Sequence, residues 1–225
     1  GPCHKSALAI EWSADCNGDG MVDYGQILSG ELTDDDGNGV PDMCEPQQWR
    51  VEDGGNGNWY ELVINPQPIN WNAAVTAAEQ VGGHLVTCTS QEENNFVRSN
   101  LIPCGGSQSE AWMGGYRESS GAWAWITGET WDYENWVPGD PNNNSDQPVL
   151  NFYYSLSDGC GWADQSDLFN YEVSIIEYSA DCNGDGMVDY GQILSGELAD
   201  DDGNGVPDMC EPQQWRVEDG GNGNW

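Results

Sequence analysis

Hydrophobic and polar positions divide the middle of the chain into stretches of different period. Residues 59–64, Trp-Tyr-Glu-Leu-Val-Ile, read as a strand after the turn Gly54-Gly-Asn-Gly57, with a first strand over 48–52 and Pro66 and Pro68 closing the ribbon. Over 70–81 the apolar positions change to a helical period: Trp71, Ala74, Val75 and Ala78 recur every three or four residues, and Gly82-Gly83 ends the pattern. Ser90-Gln-Glu-Glu93 is a capping box opening a second helix, with Phe96, Val97 and Leu101 on its buried side and Pro103 as its stop. Beyond Cys104 the helical period is lost. Short strands are predicted at 111–117, 123–126, 149–154 and 173–178, separated by glycine- and asparagine-rich loops. Two helices followed by strands make an α+β module.

On either side the pattern is different, and it occurs twice. Residues 15–45 recur as 181–211 with one change, Thr33 against Ala199, and the match extends over 13–59 and 179–225. Near-identity over that length marks a tandem repeat. Each copy holds two runs with oxygen-bearing groups at positions 1, 3, 5, 7, 9 and 12 and glycine at 6, the spacing of a twelve-residue calcium loop. In the first copy these are Asp15, Asn17, Asp19, Met21 (by its carbonyl), Asp23 and Gln26, then Asp34, Asp36, Asn38, Val40 (by its carbonyl), Asp42 and Glu45. In the second they are Asp181, Asn183, Asp185, Met187, Asp189 and Gln192, then Asp200, Asp202, Asn204, Val206, Asp208 and Glu211. Ca2+ is therefore the expected cofactor. The neutral amides Gln26 and Gln192 weaken the first loop of each pair, whereas Glu45 and Glu211 offer bidentate carboxylates. A plain acidic linker would not place every oxygen and the turn glycine in register twice. Cys16 and Cys44 bracket one pair of loops and Cys182 and Cys210 the other, so bridges Cys16–Cys44 and Cys182–Cys210 are predicted, each worth about 3–4 kcal/mol by loop closure. This spacing resembles the calcium loops of dockerins, an EF-hand-like motif, and of thrombospondin type 3 repeats.

Composition narrows the function classes. A net charge of −34 with five Lys and Arg disfavours nucleic acid and anionic membranes as partners. Such an excess of carboxylates repels itself unless cations neutralise it. Twelve Trp and nine Tyr nevertheless supply a core, and eight Cys point to an oxidising, extracellular or cell-surface setting. The absence of an initiator Met, a leader and a membrane-length apolar run suggests a segment of a longer secreted protein. Residues 1–12 are expected to be the last strand of a preceding module, because Glu11-Trp12-Ser-Ala-Asp matches Glu177-Tyr178-Ser-Ala-Asp. The organisation read from the chain is then 1–12, a calcium linker at 13–46, one module at 47–178, a second linker at 179–212 and an opening strand at 213–225. His4 and His84 are far apart in sequence, and no Ser, His and Asp residues form a catalytic frame, so an enzyme is not expected. Asn143-Asn144-Ser145 is a formal glycosylation sequon.

The module's motifs carry a family resemblance. Trp71-(x)2-Ala74-(x)3-Ala78, Gly82-Gly-His-Leu-Val86 and Ser90-Gln-Glu-Glu-Asn94 resemble the two-helix half of a C-type lectin-like domain. Ala111-Trp-Met-Gly-Gly115, Trp123-Ala-Trp125, Asn135-Trp136-(x)3-Asp140-Pro141-Asn142, Gly161-Trp-Ala-Asp164 and Ile175-Ile-Glu177 resemble its second half and long loop. The resemblance implies two helices, two small antiparallel sheets and a long loop, within a tandem-repeat surface protein of bacterial type. It also implies a calcium ion completed by vicinal sugar hydroxyls, since a hard cation accepts neutral diols in place of water. Carried over residue by residue, Asp140 stands for the usual glutamate and Pro141 is cis. Asn142 contacts ion and sugar, Asp146 is the nearby acid and Asp164 closes the site. Ala163 stands where the family has an oxygen-bearing Asn. The family's first-helix cysteine is absent and Ile176 replaces its partner. Cys88 and Cys104 flank the second helix and are placed to pair, which leaves Cys160 without a partner in the module. Trp112, Trp123, Trp125 and Trp162 are expected in the core, and Trp131, Tyr133 and Trp136 on the long loop as stacking platforms for a sugar. The identical linkers favour a structural role: a calcium-rigidified, head-to-tail filament of lectin-like beads whose partner is itself. Calcium-dependent binding of glycans by many weak sites is the alternative.

Overall fold

The pairing of the module's opening and closing strands forms its base. In this computed structural model, which describes residues 13–16, 19–35, 37–105 and 110–211, β1 (Gln47–Gln48) pairs with β2 (Trp59–Ile69), and β2 pairs antiparallel with β8 (Tyr171–Tyr178) from Trp59↔Tyr178 to Ile69↔Tyr171. Between them in sequence lie α2 (Trp71–Glu79), β3 (His84–Leu85), α3 (Gln91–Asn100), β4 (Ala111–Arg117), β5 (Trp123–Trp125), β6 (Val149–Ser155) and β7 (Gly159–Gln165). The short helices α1 (Asp23–Ser29) and α4 (Asp189–Ser195) belong to the two linkers. The strand order is β1-β2-β8-β4-β6-β7, with β3 on β8 and β5 on β4. The two expected sheets are thus joined by one parallel pairing, Trp112↔Ser174, between β4 and β8. The expected strands within 1–12 and 213–225 lie outside the described residues.

Burial on both faces explains the nearly continuous apolar runs of the central strands. Along β4, Met113 enters a core beneath α3 with Val97, Leu101, Trp125, Phe152 and Trp162, while Trp112 enters a second core beneath α2. That second core holds Ala74, Ala78 and Ile176 together. Apolar packing therefore fills the place where the resemblance leads one to expect a cysteine pair. Both helices start on side-chain caps: Asn70 accepts the Ala73 N–H and Ser90 the Glu93 N–H. Arg98, buried on α3, donates to Tyr153 O at 2.9 Å and Gly161 O at 2.8 Å, and lies 4.5 Å over the Phe152 ring. A single buried cation thereby fastens the β6–β7 hairpin to the helical layer, and burial pushes its pKa down to about 10.

Several expectations are corrected. The strand expected at 48–52 stops at Gln48 and turns into a 3₁₀ segment, Val51–Asp53, because Gly55 packs directly on the Trp49 backbone and leaves no room for extension. Pro66 and Pro68 do not close β2. The strand passes through both at a register irregularity between Ile64 and Ile69, where no ladder N–H is needed, and Asn65 Nδ2 reaches Glu172 O at 3.1 Å instead. Strand β7, not predicted, pairs with β6 along its whole length. Its Gly-Cys-Gly opening reads as a loop, yet Gly161 is required because a Cβ there would lie 2.6 Å from Asn135 O. That hairpin also overturns the Cys88–Cys104 pairing. Cys160, across from Tyr154, bonds to Cys104, with Cα atoms 5.9 Å apart, and Cys88 is a free thiol in the core beneath α3.

Candidate functional site

The four acidic loops share one wiring. In the first, the N–H groups of Asp19 and Gly20 donate to the two oxygens of Asp15 (3.1 and 2.9 Å), Met21 N–H donates to Asp19 Oδ1 (2.8 Å), and Cys16 N–H to Asp23 Oδ2 (2.8 Å). In the second, Asn38 and Gly39 donate to Asp34, Val40 to Asn38, and Asp35 to Asp42, all between 2.8 and 3.1 Å. The loops beginning at Asp181 and Asp200 repeat both sets. In every loop the twelfth residue reaches the fifth: Gln26 to Asp19 and Asn38 to Glu45 at 2.6 Å, Gln192 to Asp185 at 2.8 Å, and Asn204 to Glu211 at 2.6 Å. Side chains at positions 1, 5, 9 and 12 are thus gathered around one turn. Asn17 and Asp36 lie outside the described residues; their counterparts, half-buried Asn183 and exposed Asp202, accept the N–H groups of Asp185 (2.8 Å) and Asn204 (3.2 Å) within their loops.

Bridges Cys16–Cys44 and Cys182–Cys210 close each pair of loops, with Cα atoms 6.0 Å apart. Asp23 and Asp189 lie against these sulfurs, but the cysteines are covalently paired and are not ligands. Each of the two carboxylates is 1–2% exposed and keeps its Oδ1 without a hydrogen-bond partner. Burial raises the pKa of Asp23, partly offset by the Cys16 N–H. Buried, half-satisfied carboxylates among exposed ones form a donor set that fits a hard cation. The Gln26 and Gln192 amides would offer oxygen after turning over.

The long loop ends in a smaller cradle. The Asp140–Pro141 peptide is cis, as the resemblance implied. Asp164, 2% exposed on β7, accepts the N–H groups of Asn142 (3.0 Å) and Asn143 (2.9 Å) on its two oxygens. Asn142 Nδ2 donates to Asp140 Oδ1 at 3.1 Å. Burial, and then the neighbouring Asp164, raise the pKa of Asp140. Two carboxylates and an amide oxygen held this close suit a hard cation. Ala163 adds no oxygen, and Asp146 is exposed, with no described hydrogen bond linking it to the cradle. Arg117 braces the outer turn by donating to Asn144 O.

The proposed aromatic platforms are corrected. Trp131, Tyr133 and Trp136 pack inward: Trp131 lies 4.4 Å from the Trp125 ring centroid, Trp136 5.0 Å from Trp123, and Tyr133 5.4 Å from Trp162. The long loop is held down by its own aromatics, so they are not free to stack on a sugar.

One cluster had no sequence signal. Glu177, Glu93 and Glu129 converge beneath β3 around Thr87 and Tyr60. Thr87 Oγ1 donates within reach of Glu129 (2.7 Å) and Glu177 (3.1 Å), and Tyr60 Oη to Glu93 (2.7 Å). Asn58 Nδ2 donates to Glu177 at 2.7 Å, and His84 Nδ1 is 4.0 Å away. Burial, then Glu93, push the Glu177 carboxyl up to about 8. The three acids are 36 to 84 residues apart in sequence, so only the fold assembles them.

Residues 67–167 match the family model described as the lectin C-type domain. Over these residues the central module, hereafter the lectin domain, is similar to C-type lectin domains. Among curated proteins, asialoglycoprotein receptor 1 of Rattus norvegicus is 31% identical over 109 residues, 48% of this chain and 34% of that protein. C-type lectin domain family 4 member M of Hylobates lar is 33% identical over 133 residues, 57% of this chain and 30% of that protein. The chain spans about a third of the length of these relatives. Among solved structures, the C-type lectin domain of murine dendritic cell inhibitory receptor 2 in complex with N-glycan aligns with a TM-score of 0.48 at 22% identity, over 55% of this chain and 92% of that one. The lectin domain's match begins within β2 and ends before β8, so both linkers lie outside it. Among the described residues, no helix is long and apolar enough to cross a membrane.

Proposed function

We propose that the lectin domain recognises carbohydrate through a calcium ion at Asp140, Asn142 and Asp164, and that further calcium ions in the two linkers stiffen its mounting on the extracellular side of a cell or secreted assembly. The observation that carries this is the Asp164 cradle: a buried carboxylate orders the Asn142–Asn143 turn and leaves Asp140 and Asn142 at the surface, where vicinal hydroxyls can complete a coordination shell. The asialoglycoprotein receptor and related lectins among its relatives support the same ligand class. The ion would polarise and orient the sugar hydroxyls, and Asn142 would add a hydrogen bond from its amide. No group in the cradle is arranged for bond breaking.

The test is retention of the full chain on immobilised mannose and galactose with calcium and with chelator. Retention is expected in calcium only, weakened at least ten-fold by Asn142→Ala and strengthened by Ala163→Asn. Binding that survives chelation, or that ignores Asn142→Ala, sinks the proposal.

A second reading, the head-to-tail filament of lectin domains with calcium linkers as spacers, is favoured by one observation. The second linker packs on the lectin domain along Tyr190, Gly191 and Gly205 instead of hanging free.

A further inference from the structure

The turn that carries Asn142 is gripped from two sides. From within, Asp164 accepts the N–H groups of Asn142 and Asn143. From without, the guanidinium of Arg117 donates to Asn144 O and reaches Asn143 Oδ1 at 3.5 Å. Those two acceptors flank the peptide between Asn143 and Asn144, whose N–H donates to Asn142 Oδ1 at 3.0 Å. Asn142 Nδ2 in turn donates to Asp140 Oδ1 at 3.1 Å, so both ends of the Asn142 amide are fixed. Among the described hydrogen bonds, one lone pair of Oδ1 and one hydrogen of Nδ2 stay uncommitted. These are the acceptor an ion needs and the donor a sugar oxygen needs.

Arg117 is anchored where it can hold this turn. It ends β4, paired with Trp123 of β5, and its own N–H donates to Pro148 O at 2.7 Å, where the loop re-enters β6. Its backbone is therefore part of the sheet while its head lies on the loop. The turn needs such support. Asn143 takes a left-handed backbone (φ +59°), which a non-glycine residue adopts at a cost, and Asn142 to Asp146 are all exposed. In a chain with five Lys and Arg and a net charge of −34, one cation serves this turn.

We propose that Arg117 is the positioning residue of the sugar site: it holds Asn142 in the geometry that receives calcium before the ion arrives, and touches neither ion nor sugar. The inference rests on the reading of Asp140, Asn142 and Asp164 as a calcium site. A planar guanidinium satisfies two acceptors in a fixed relation, which an ammonium does not. Where only a fraction of molecules has the turn formed, the apparent dissociation constant rises by the inverse of that fraction. Losing a charged hydrogen bond from an exposed turn lowers the fraction to roughly a tenth. Once bound, the ion itself holds the turn, so the sugar step no longer needs Arg117. The signature is a split between weaker calcium binding and unchanged sugar binding at saturating calcium.

The experiment compares the unaltered full chain with Arg117→Gln and Arg117→Lys. Calcium is titrated by nuclear magnetic resonance at the backbone amides of Asn142 and Asn144, which report on the cradle and not on the linkers. Methyl mannoside and methyl galactoside are then titrated at saturating calcium. Arg117→Gln is expected to raise the calcium midpoint about ten-fold, and Arg117→Lys, which keeps the charge, by less. Neither should change sugar affinity by more than about two-fold, since the bound ion has fixed the turn. Without calcium, hydrogen exchange at the Asn144 amide should quicken in Arg117→Gln by a similar factor. A calcium midpoint that Arg117→Gln leaves unchanged or lowers overturns the proposal, because a distant positive charge by itself only repels the ion. A larger loss of sugar affinity at saturating calcium also overturns it and makes Arg117 a direct sugar contact. If Arg117→Gln does not fold, Arg117→Lys decides alone, an unchanged midpoint counting against the proposal. If the cradle of the unaltered chain takes up no calcium, the reading of the sugar site falls and this inference with it, a failure visible before any variant is measured.

Discussion

The two linkers have almost one sequence and two environments. Their local structure is the same: α1 and α4 cover equivalent residues, both end on a left-handed glycine (Gly30 and Gly196), and both pairs of loops are closed by a disulfide. The one substitution is silent for a visible reason. Among the described hydrogen bonds, Thr33 and Ala199 take part through their carbonyls, which accept the N–H groups of Asp42 and Asp208 at 2.9 Å. Their neighbours differ. Met43 is half-buried against the lectin domain while Met209 is 62% exposed, and Val40 is exposed while Val206 is half-buried. Local chemistry dictates the loop, and surroundings decide which face of it is used.

The largest expected effect removes what the linkers share. At calcium about 100-fold above its dissociation constant each occupied loop adds ~2.7 kcal/mol, so chelation should cost each linker roughly 5 kcal/mol. Amide hydrogen exchange is expected to show both linkers losing protection, with the lectin core beneath α3 little changed. Equal protection with and without chelator would remove calcium from the account of both.

Raising pH should separate the linkers through the lectin domain's base. Glu177 is held neutral in the fold up to about 8 against 4.5 in the unfolded chain. Its stabilising contribution is complete below pH 4.5 and lost as pH rises towards 8, on the order of 5 kcal/mol. The facing Glu93 and Glu129 carboxylates add to the repulsion that raises the Glu177 pKa. His84, whose pKa burial lowers, acts oppositely as pH falls below 6.5. Glu177→Gln should flatten the fall in thermal midpoint between pH 5 and 8. Because Glu177 adjoins Tyr178, protection of α4 should follow this titration while that of α1 does not. A pH profile identical in wild type and Glu177→Gln would dismiss the buried acid.

The smallest effect is the sharpest contrast. Alanine is favoured over glycine within a helix by up to about 1 kcal/mol. Among the described residues an added Cβ at Gly25 meets open space, so Gly25→Ala should stabilise the first linker by a few tenths to about 1 kcal/mol, whereas Gly191→Ala meets the Trp59 indole and should lose that gain or reverse it. Same-sign shifts of equal size in calorimetry would mean that the contact between Gly191 and Trp59 is not formed in solution.

What could be read from the sequence was whatever a few neighbouring residues settle. The loop register, the disulfides spanning each pair of loops, the Asn70 and Ser90 caps and the helical period over 70–81 all depend on contacts within about thirty residues, and all are present. The lectin motifs were legible for a different reason, as a resemblance in number and order; of the residues they point to, Asp140, Asn142 and Asp164 are joined by hydrogen bonds at one turn, whereas no described hydrogen bond links Asp146 to them. Tertiary structure alone decided the rest. Cys160 finds Cys104 because Arg98 fastens an unpredicted hairpin to α3. Trp131, Tyr133 and Trp136 turn inward because a core already rich in indoles offers them more burial than water does. Glu93, Glu129 and Glu177 meet because three distant segments close over Thr87. Each of these follows from which apolar surfaces are free to cover one another once the sheet has formed. The two linkers make the limit plain, because one sequence specifies four matching loops but not which of their faces the lectin domain will occupy.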